Sequence, residues 1–299
     1  MAELIRYILL VNIFIVVLSL FFRLVLEKEK WFRLNRFVLV FGLLLALIIP
    51  LWQIDFVKSP EQALIVISES FAKLKEFNAD IILDEIQVYG TAPKIFPWIS
   101  IFQIIYLLGI IGMGILFTWK VSRIRNLQRS YPMILLKNLF ITVLPKSFSA
   151  FSFIGVAYFP TPVDAKDETT SHIIDHEKAH IRQKHSIDIL FVEIVKILFF
   201  YNPAVYSLQK QMALTHEYLA DFECATENTK SYSMALFRSF FNSPGLSLSQ
   251  GFKSQSMLKQ RLTMLENGGA NKWAGLKYSL FLPMVALFLT LSAFTLVIP

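Results

Sequence analysis

Four stretches of the chain are apolar for long enough to cross a bilayer, and the polar segments between them differ in charge. Residues 4–22 and 37–54 are nearly uninterrupted apolar runs; a third extends from about Ile95 to Thr118 and a fourth from Tyr278 to Ile298. At a helical rise of 1.5 Å per residue, each covers the ~30 Å of hydrocarbon in a membrane. The first carries Glu3 and a single Arg6 ahead of it and no small-x-small site after it, so it reads as a span and not as a cleavable signal. Between the third and fourth runs the pattern changes twice. Residues 134–159 are rich in β-branched and aromatic side chains broken at Pro145, which predicts two or three short strands ending in the run 153–159, "FIGVAYF". From about Ser171 the pattern is helical as far as Asn202-Pro203, where the proline must end it. A second helix is expected from Ala204 into the 220s. Residues 242–255, "NSPGLSLSQGFKSQ", read as a flexible loop, and "SMLKQRLTML" (256–265) as a basic amphipathic helix leading to the fourth span.

Composition supports the membrane reading. Of 299 residues 55% are apolar, and 28 phenylalanines against 11 glycines suit helices in lipid better than a turn-rich β protein. The lone Cys224 excludes a disulfide framework within the chain. A net charge of +7 suggests nucleic acid at first sight. Its distribution argues for basic loops beside a membrane instead, with no direct nucleic-acid partner. Arg23, Lys28, Lys30, Arg33 and Arg36 follow the first run, and Lys120, Arg123, Arg125, Arg129 and Lys137 follow the third. The stretch between the second and third runs is net acidic, with Asp55, Glu61, Glu69, Glu76, Asp80, Asp84 and Glu85. One topology satisfies all three segments: a multi-pass protein with its N-terminus outside and residues 119–275 in the cytoplasm. The expected organisation is three spans over 1–118 with an external loop at about 55–95, a cytoplasmic domain over 119–275, and a fourth span over 276–299. The fold class is a mainly α membrane protein.

The chemistry is concentrated in "IIDHEKAHIRQKHSIDIL" (173–190). On a helix His176 and His180 lie one turn and ~40° apart, so both imidazoles can reach one ion. Zinc accepts neutral histidine nitrogens, and a catalytic site keeps a position for water. Glu177, about 100° around from His176, can take a proton from that water without binding the metal. Downstream, "LTHEYLADFECA" offers Glu217 as a third donor, and Asp221 one turn later on the same face. A carboxylate there can fix the outer nitrogen of a ligand histidine. The turn at Asn202-Pro203 folds the two helices together, with about 20 residues before it and 14 after. At 1.5 Å per residue that mismatch requires a tilt or a loose turn. On an ideal helix His185 projects ~180° from His176 and cannot join the same shell. His172 lies on the ligand face but near the helix start and reads as a bystander; His216, ~100° from Glu217, could at most lean over substrate.

HEKAH followed by "HSID", "FFYNP" and "HEYLAD", set between apolar spans, resembles the regulatory membrane metallopeptidases of the BlaR/MecR antibiotic-sensor type, especially their Bacteroidetes-like members. The resemblance covers nearly the whole chain. It implies a gluzincin-like zinc peptidase domain, a small sheet plus the HExxH and ExxxD helices, placed between spans three and four. It also implies zinc on His176, His180 and Glu217 with Glu177 as base, an external signal that activates cleavage of the protein itself, and a cytoplasmic transcriptional repressor as substrate. The membrane lipid and a homo-oligomer complete the expected partners, and no substrate-binding residue is identified. The best-known members carry a penicillin-binding sensor after the fourth span, whereas this sequence runs to Pro299. The SxxK matches at Ser70–Lys73 and Ser256–Lys259 do not replace it: one lies in an external segment of ~40 residues, the other in the cytoplasm. CAAX-processing and HtpX-like membrane proteases share the HExxH…ExxxD arrangement and form a second reading. A non-proteolytic scaffold stapled by zinc is a third, disfavoured because structural sites fill all four positions, often with cysteine. A transporter is disfavoured because no span carries a central acid or histidine. The predicted reaction is peptide hydrolysis by zinc-activated water, with the substrate added to the edge of the 153–159 strand and self-cleavage within 242–255.

Overall fold

The computed structural model of the protein describes residues 2–51, 98–225, 228–242, 248–266 and 273–293. The expected external loop and the first SxxK match lie outside the described residues. The chain opens with α1 (Ala2–Phe21), prolonged by a π-helical turn over Phe22–Leu26, and α2 (Phe32–Ile48). α3 (Trp98–Ser130) does not stop near Thr118 as the hydropathy suggests. No proline or glycine interrupts "WKVSRIRNLQRS" (119–130), so the helix continues until Pro132 excludes helical geometry at Tyr131. Four helices among the described residues are long and apolar enough to cross a membrane: Leu4–Leu26, Phe32–Leu51, Ile101–Ser130 and Ala274–Ser292. Phe102, Leu108 and Ile115 on α3 are 70, 62 and 64% exposed, an arrangement that suits hydrocarbon and not water.

A four-stranded sheet follows: β1 (Met133–Leu136), β2 (Leu139–Leu144), β3 (Phe151–Phe153) and β4 (Val156–Pro160), in the order β1-β2-β4-β3. β2 and β4 run parallel; the outer pairs are hairpins. Two-residue turns with left-handed backbone close both hairpins, at Lys137 (φ 50) and Asn138 (φ 59), and at Ile154 (φ 39) and Gly155 (φ 82). The second turn breaks the run 153–159 into two strands. β4 is therefore an inner strand, and the edge is β3. Ile141, Ala157 and Phe159 pack one face of the sheet on Ile174 of the next helix.

That helix, α4 (Glu168–Arg182), is capped by Asp167, whose carboxylate accepts from the Thr170 amide at 2.8 Å. The continuous helix expected from about Ser171 to Asn202-Pro203 is two. Lys184 adopts the left-handed conformation (φ 56) and α5 (His185–Leu198) leaves in a new direction. The mismatch of arm lengths disappears with this break. α5 has 14 residues, and the fourteenth residue of α6 (Pro203–Cys224) is His216 (203 + 13), which meets His185 across the hairpin. Asn202 caps α6, accepting from the Ala204 amide at 2.9 Å, and Pro203 occupies its first turn, where no amide donor is needed.

The α5–α6 hairpin wedges between the apolar helices. Phe14, Leu18, Leu39 and Leu43 from α1 and α2 share one core with Val192, Val205, Leu208 and Met212 of the hairpin. Its tip is held at mid-span: Asn202 Nδ2 donates to Asn12 Oδ1 at 2.8 Å, and Asn12 Nδ2 to the Tyr201 hydroxyl at 2.7 Å. The chain closes with α7 (Thr229–Asn242), α8 (Leu248–Glu266), α9 (Ala274–Ser279) and α10 (Phe281–Ala293). The loop expected over 242–255 is helical from Leu248 onward, because "LSQGFKSQSMLKQRL" (248–262) contains no proline and continues the amphipathic pattern. Residues 243–247 lie outside the described residues.

Candidate metal centre and its surroundings

α4 presents His176 and His180 on one face, and α6 brings Glu217 opposite them. His176 Nε2 and His180 Nε2 are 3.0 Å apart, and each lies 3.5 Å from a Glu217 carboxylate oxygen. Tetrahedral donors at ~2.0–2.1 Å from a zinc ion stand about 3.3 Å from one another. The three separations lie within a few tenths of an ångström of that figure, the one from His176 ending on Glu217 Oε2 and the one from His180 on Oε1, so the donor set fits zinc. It is the His/Cys/Asp/Glu group among the described residues whose ligand atoms lie close enough to share an ion.

The outer nitrogens of both histidines are engaged. The Tyr232 hydroxyl on α7 accepts from His176 Nδ1 at 2.8 Å and donates to Asp221 Oδ1 at 2.7 Å. Asp221 therefore reaches the histidine through the tyrosine; its direct separation from Nδ1 is 3.4 Å. On the other side His180 Nδ1 lies 2.7 Å from His185 Nδ1. The helix break at Lys184 places His185 there, overturning the ~180° projection of an unbroken helix. His216 does not face the cleft alone: its ring stacks on His185 with centroids 4.0 Å apart, and its Nε2 donates to Asp188 Oδ2 at 2.9 Å. His172 sits apart from the triangle, 3.0 Å from Ser231 Oγ.

Arg261 of α8 was not singled out by sequence. Its Nη1 is 2.7 Å from Glu217 Oε2, while Nε and Nη2 donate to the two oxygens of Asp221 at 2.8 and 2.5 Å. The only signal for it was one arginine in an amphipathic helix. Tyr232 carried none.

Charge follows from these contacts. Burial pushes the Glu177 carboxyl above the ordinary glutamate value, against the opposing pull of His176 and a hydrogen bond from Ser152. Glu217 is equally buried, but Arg261 and the two histidines hold it well below that value. Burial and the neighbouring His176 push His180 down to about 3, leaving a neutral imidazole suited to a metal. Two carboxylates on adjoining helices thus have opposite tendencies: one poised to exchange a proton, one fixed as an anion.

The triangle opens into a cleft of about 400 Å³ bordered by Phe151, Ser152 and Phe153 of β3 on one side and by Leu236 and Ser239 of α7 on the other. Residues 156–265, from β4 to α8, match the family described as BlaR1 peptidase M56. No curated protein matches the chain.

Proposed function

We propose that the chain, whose residues 156–265 match the BlaR1 peptidase M56 family, is a membrane-embedded zinc metalloendopeptidase of a signalling system, cleaving a cytoplasmic transcriptional repressor, itself, or both. The observation that carries the reading is the convergence of three donor atoms beside a buried carboxylate at the floor of an open cleft. His176, His180 and Glu217 would hold the ion. When bound, zinc would lower the pKa of a water and polarise the scissile carbonyl. Glu177 takes the proton from the attacking water and passes it to the leaving amine, a task suited to a carboxyl that burial raises above its ordinary value. Ser152 of β3 lines the cleft beside Glu177. Among the described residues β3 pairs with β4 alone, so its outer edge offers main-chain groups to an extended peptide. Among the described residues three protein donors converge, which leaves a coordination position for water and distinguishes the site from a structural staple.

Metal analysis and cleavage assays on purified full-length protein test the roles. Glu177→Gln should retain stoichiometric zinc and lose cleavage, by roughly 10²–10⁴-fold for removal of a general base. His180→Ala should lose both. A stable Glu177→Gln protein without zinc would overturn the assignment of Glu177. The proposed orientation rests on the basic residues after α1 and along the end of α3. An impermeant thiol reagent on intact cells should label Ser68→Cys and spare Thr263→Cys. The native thiol is a silent background, because burial and the nearby Glu223 push Cys224 up to about 12 and keep it protonated. The reverse labelling pattern inverts the topology.

A further inference from the structure

We propose that His185 is the positioning residue for His180, holding that imidazole by its outer nitrogen in the tautomer and plane that a metal donor needs. The proposal rests on the reading of His176, His180 and Glu217 as a metal centre.

The directions of the hydrogen bonds follow from one end of a chain. The Gln183 amide Nε2 donates to Glu223 Oε2 at 2.8 Å, and a carboxylate can only accept. That fixes the amide, so Gln183 Oε1 faces His185 Nε2 at 3.0 Å. An amide oxygen also only accepts, so His185 Nε2 carries the proton. A neutral imidazole has one proton, which leaves His185 Nδ1 as an acceptor. His180 Nδ1, 2.7 Å away, must then donate to it. His180 Nε2 is left with a bare lone pair, directed at the space it shares with His176 Nε2 and Glu217. An imidazolium at His185 would donate from both nitrogens and force the proton of His180 onto Nε2, where it would block a metal. The network thus selects the metal-binding tautomer.

Orientation is fixed as well. His185 is 3% exposed. Its ring is held at both nitrogens, and one face is covered by His216 at an interplanar angle of 8°. His216 is pinned in turn by Asp188, which also accepts from Arg36 Nε at 2.6 Å. Two independent supports therefore act on the centre, Tyr232 on His176 and His185 on His180. The second exists only because the chain turns back at Lys184.

Full-length protein in detergent, titrated with zinc against a chromophoric chelator, tests this. His185→Phe keeps the ring and its stack but removes the acceptor, and zinc affinity should fall 10–100-fold, the usual effect of losing an outer support. His185→Asn restores an acceptor near the position of Nδ1 and should recover most of that loss. Gln183→Leu removes the distant anchor without touching the core; it should give a smaller loss of the same sign and serves where His185→Phe does not fold. Wild-type protein that binds no zinc overturns the metal-centre reading and this proposal with it. Wild type that binds zinc, with His185→Phe or Gln183→Leu of equal affinity, overturns the role of His185 alone. So does an equal loss in His185→Phe and His185→Asn, which would mark His185 as packing.

Discussion

At the scale of single residues, the two carboxylates of the second motif divide their labour. Glu217 faces the donors of α4, whereas Asp221, 1% exposed, is surrounded by Tyr232 and Arg261. The two Asp221 contacts imply different costs. Tyr232→Phe removes the oxygen that accepts from His176 and leaves the ring in place, so zinc affinity should drop 10–100-fold with a small effect on folding. Asp221→Ala leaves Arg261 buried without that anion. Its melting temperature should fall by the equivalent of about 3–5 kcal/mol, the cost of breaking a buried pair from one side. Zinc titration and thermal unfolding on the same samples separate the two; an Asp221→Ala protein as stable as wild type would show that Glu217 alone suffices for Arg261. HExxH and ExxxD were legible because helical periodicity places residues three or four apart on one face. Tyr232 and Arg261 stand 56 and 85 residues from His176 and follow no local period, so only the packing of α7 and α8 reveals them.

At the scale of elements, the reading from sequence failed where a single backbone angle decides the path. Lys184 in left-handed conformation separates α4 from α5, and Ile154 with Gly155 separates β3 from β4. A lysine does not announce positive φ as glycine would, so the helix reads as unbroken; in the strand run Gly155 was the one signal of the turn. Glycine is decisive elsewhere. A Cβ on Gly109 of α3 would lie 2.2 Å from the ring of Phe200 at the hairpin tip, while one on Gly112, a turn later, would meet nothing within 4 Å. Tyr106 beside it donates from its hydroxyl to the Leu198 carbonyl at 2.8 Å. α3 therefore docks on the hairpin through one close approach. Gly109→Val should destabilise by about 1–3 kcal/mol, as overpacking does, and Gly112→Val should leave the melting temperature within error of wild type. Equal effects of the two substitutions would mean that α3 does not use this contact.

At the scale of the whole molecule, the hairpin that carries Glu217 is tied to three of the apolar helices: to α1 through Asn12, to α3 through Gly109, and to α2 through Arg36. Four apolar runs and one polar motif were readable separately, but the sequence does not show that the motif's second helix lies among the spans. Asp188, Glu193 and Lys196 are charged positions in the otherwise apolar run 187–201. The structure neutralises them in place. Lys196 pairs with Glu193, both bind Gln209, and Asp188 binds Arg36 and His216. The Asp188–Arg36 pair has a measurable signature. Burial works to raise the Asp188 pKa, but hydrogen bonds from His216 and Arg36 outweigh it, and the carboxyl lies below its ordinary value. A group depressed on folding adds stability that is complete above its unfolded pKa, near 3.9, and is lost as pH falls through the folded value. Arg36→Gln removes the cation, so its penalty is present only while Asp188 is ionised. In metal-free protein, with chelator present so that zinc release does not contribute, the gap in melting temperature between wild type and Arg36→Gln should hold steady from pH 7 to about 5. It should then close below about pH 4. A gap that persists undiminished at pH 3 would show that Arg36 acts by packing its stem on the hairpin, and that no charge links α2 to the histidine stack behind the metal donors.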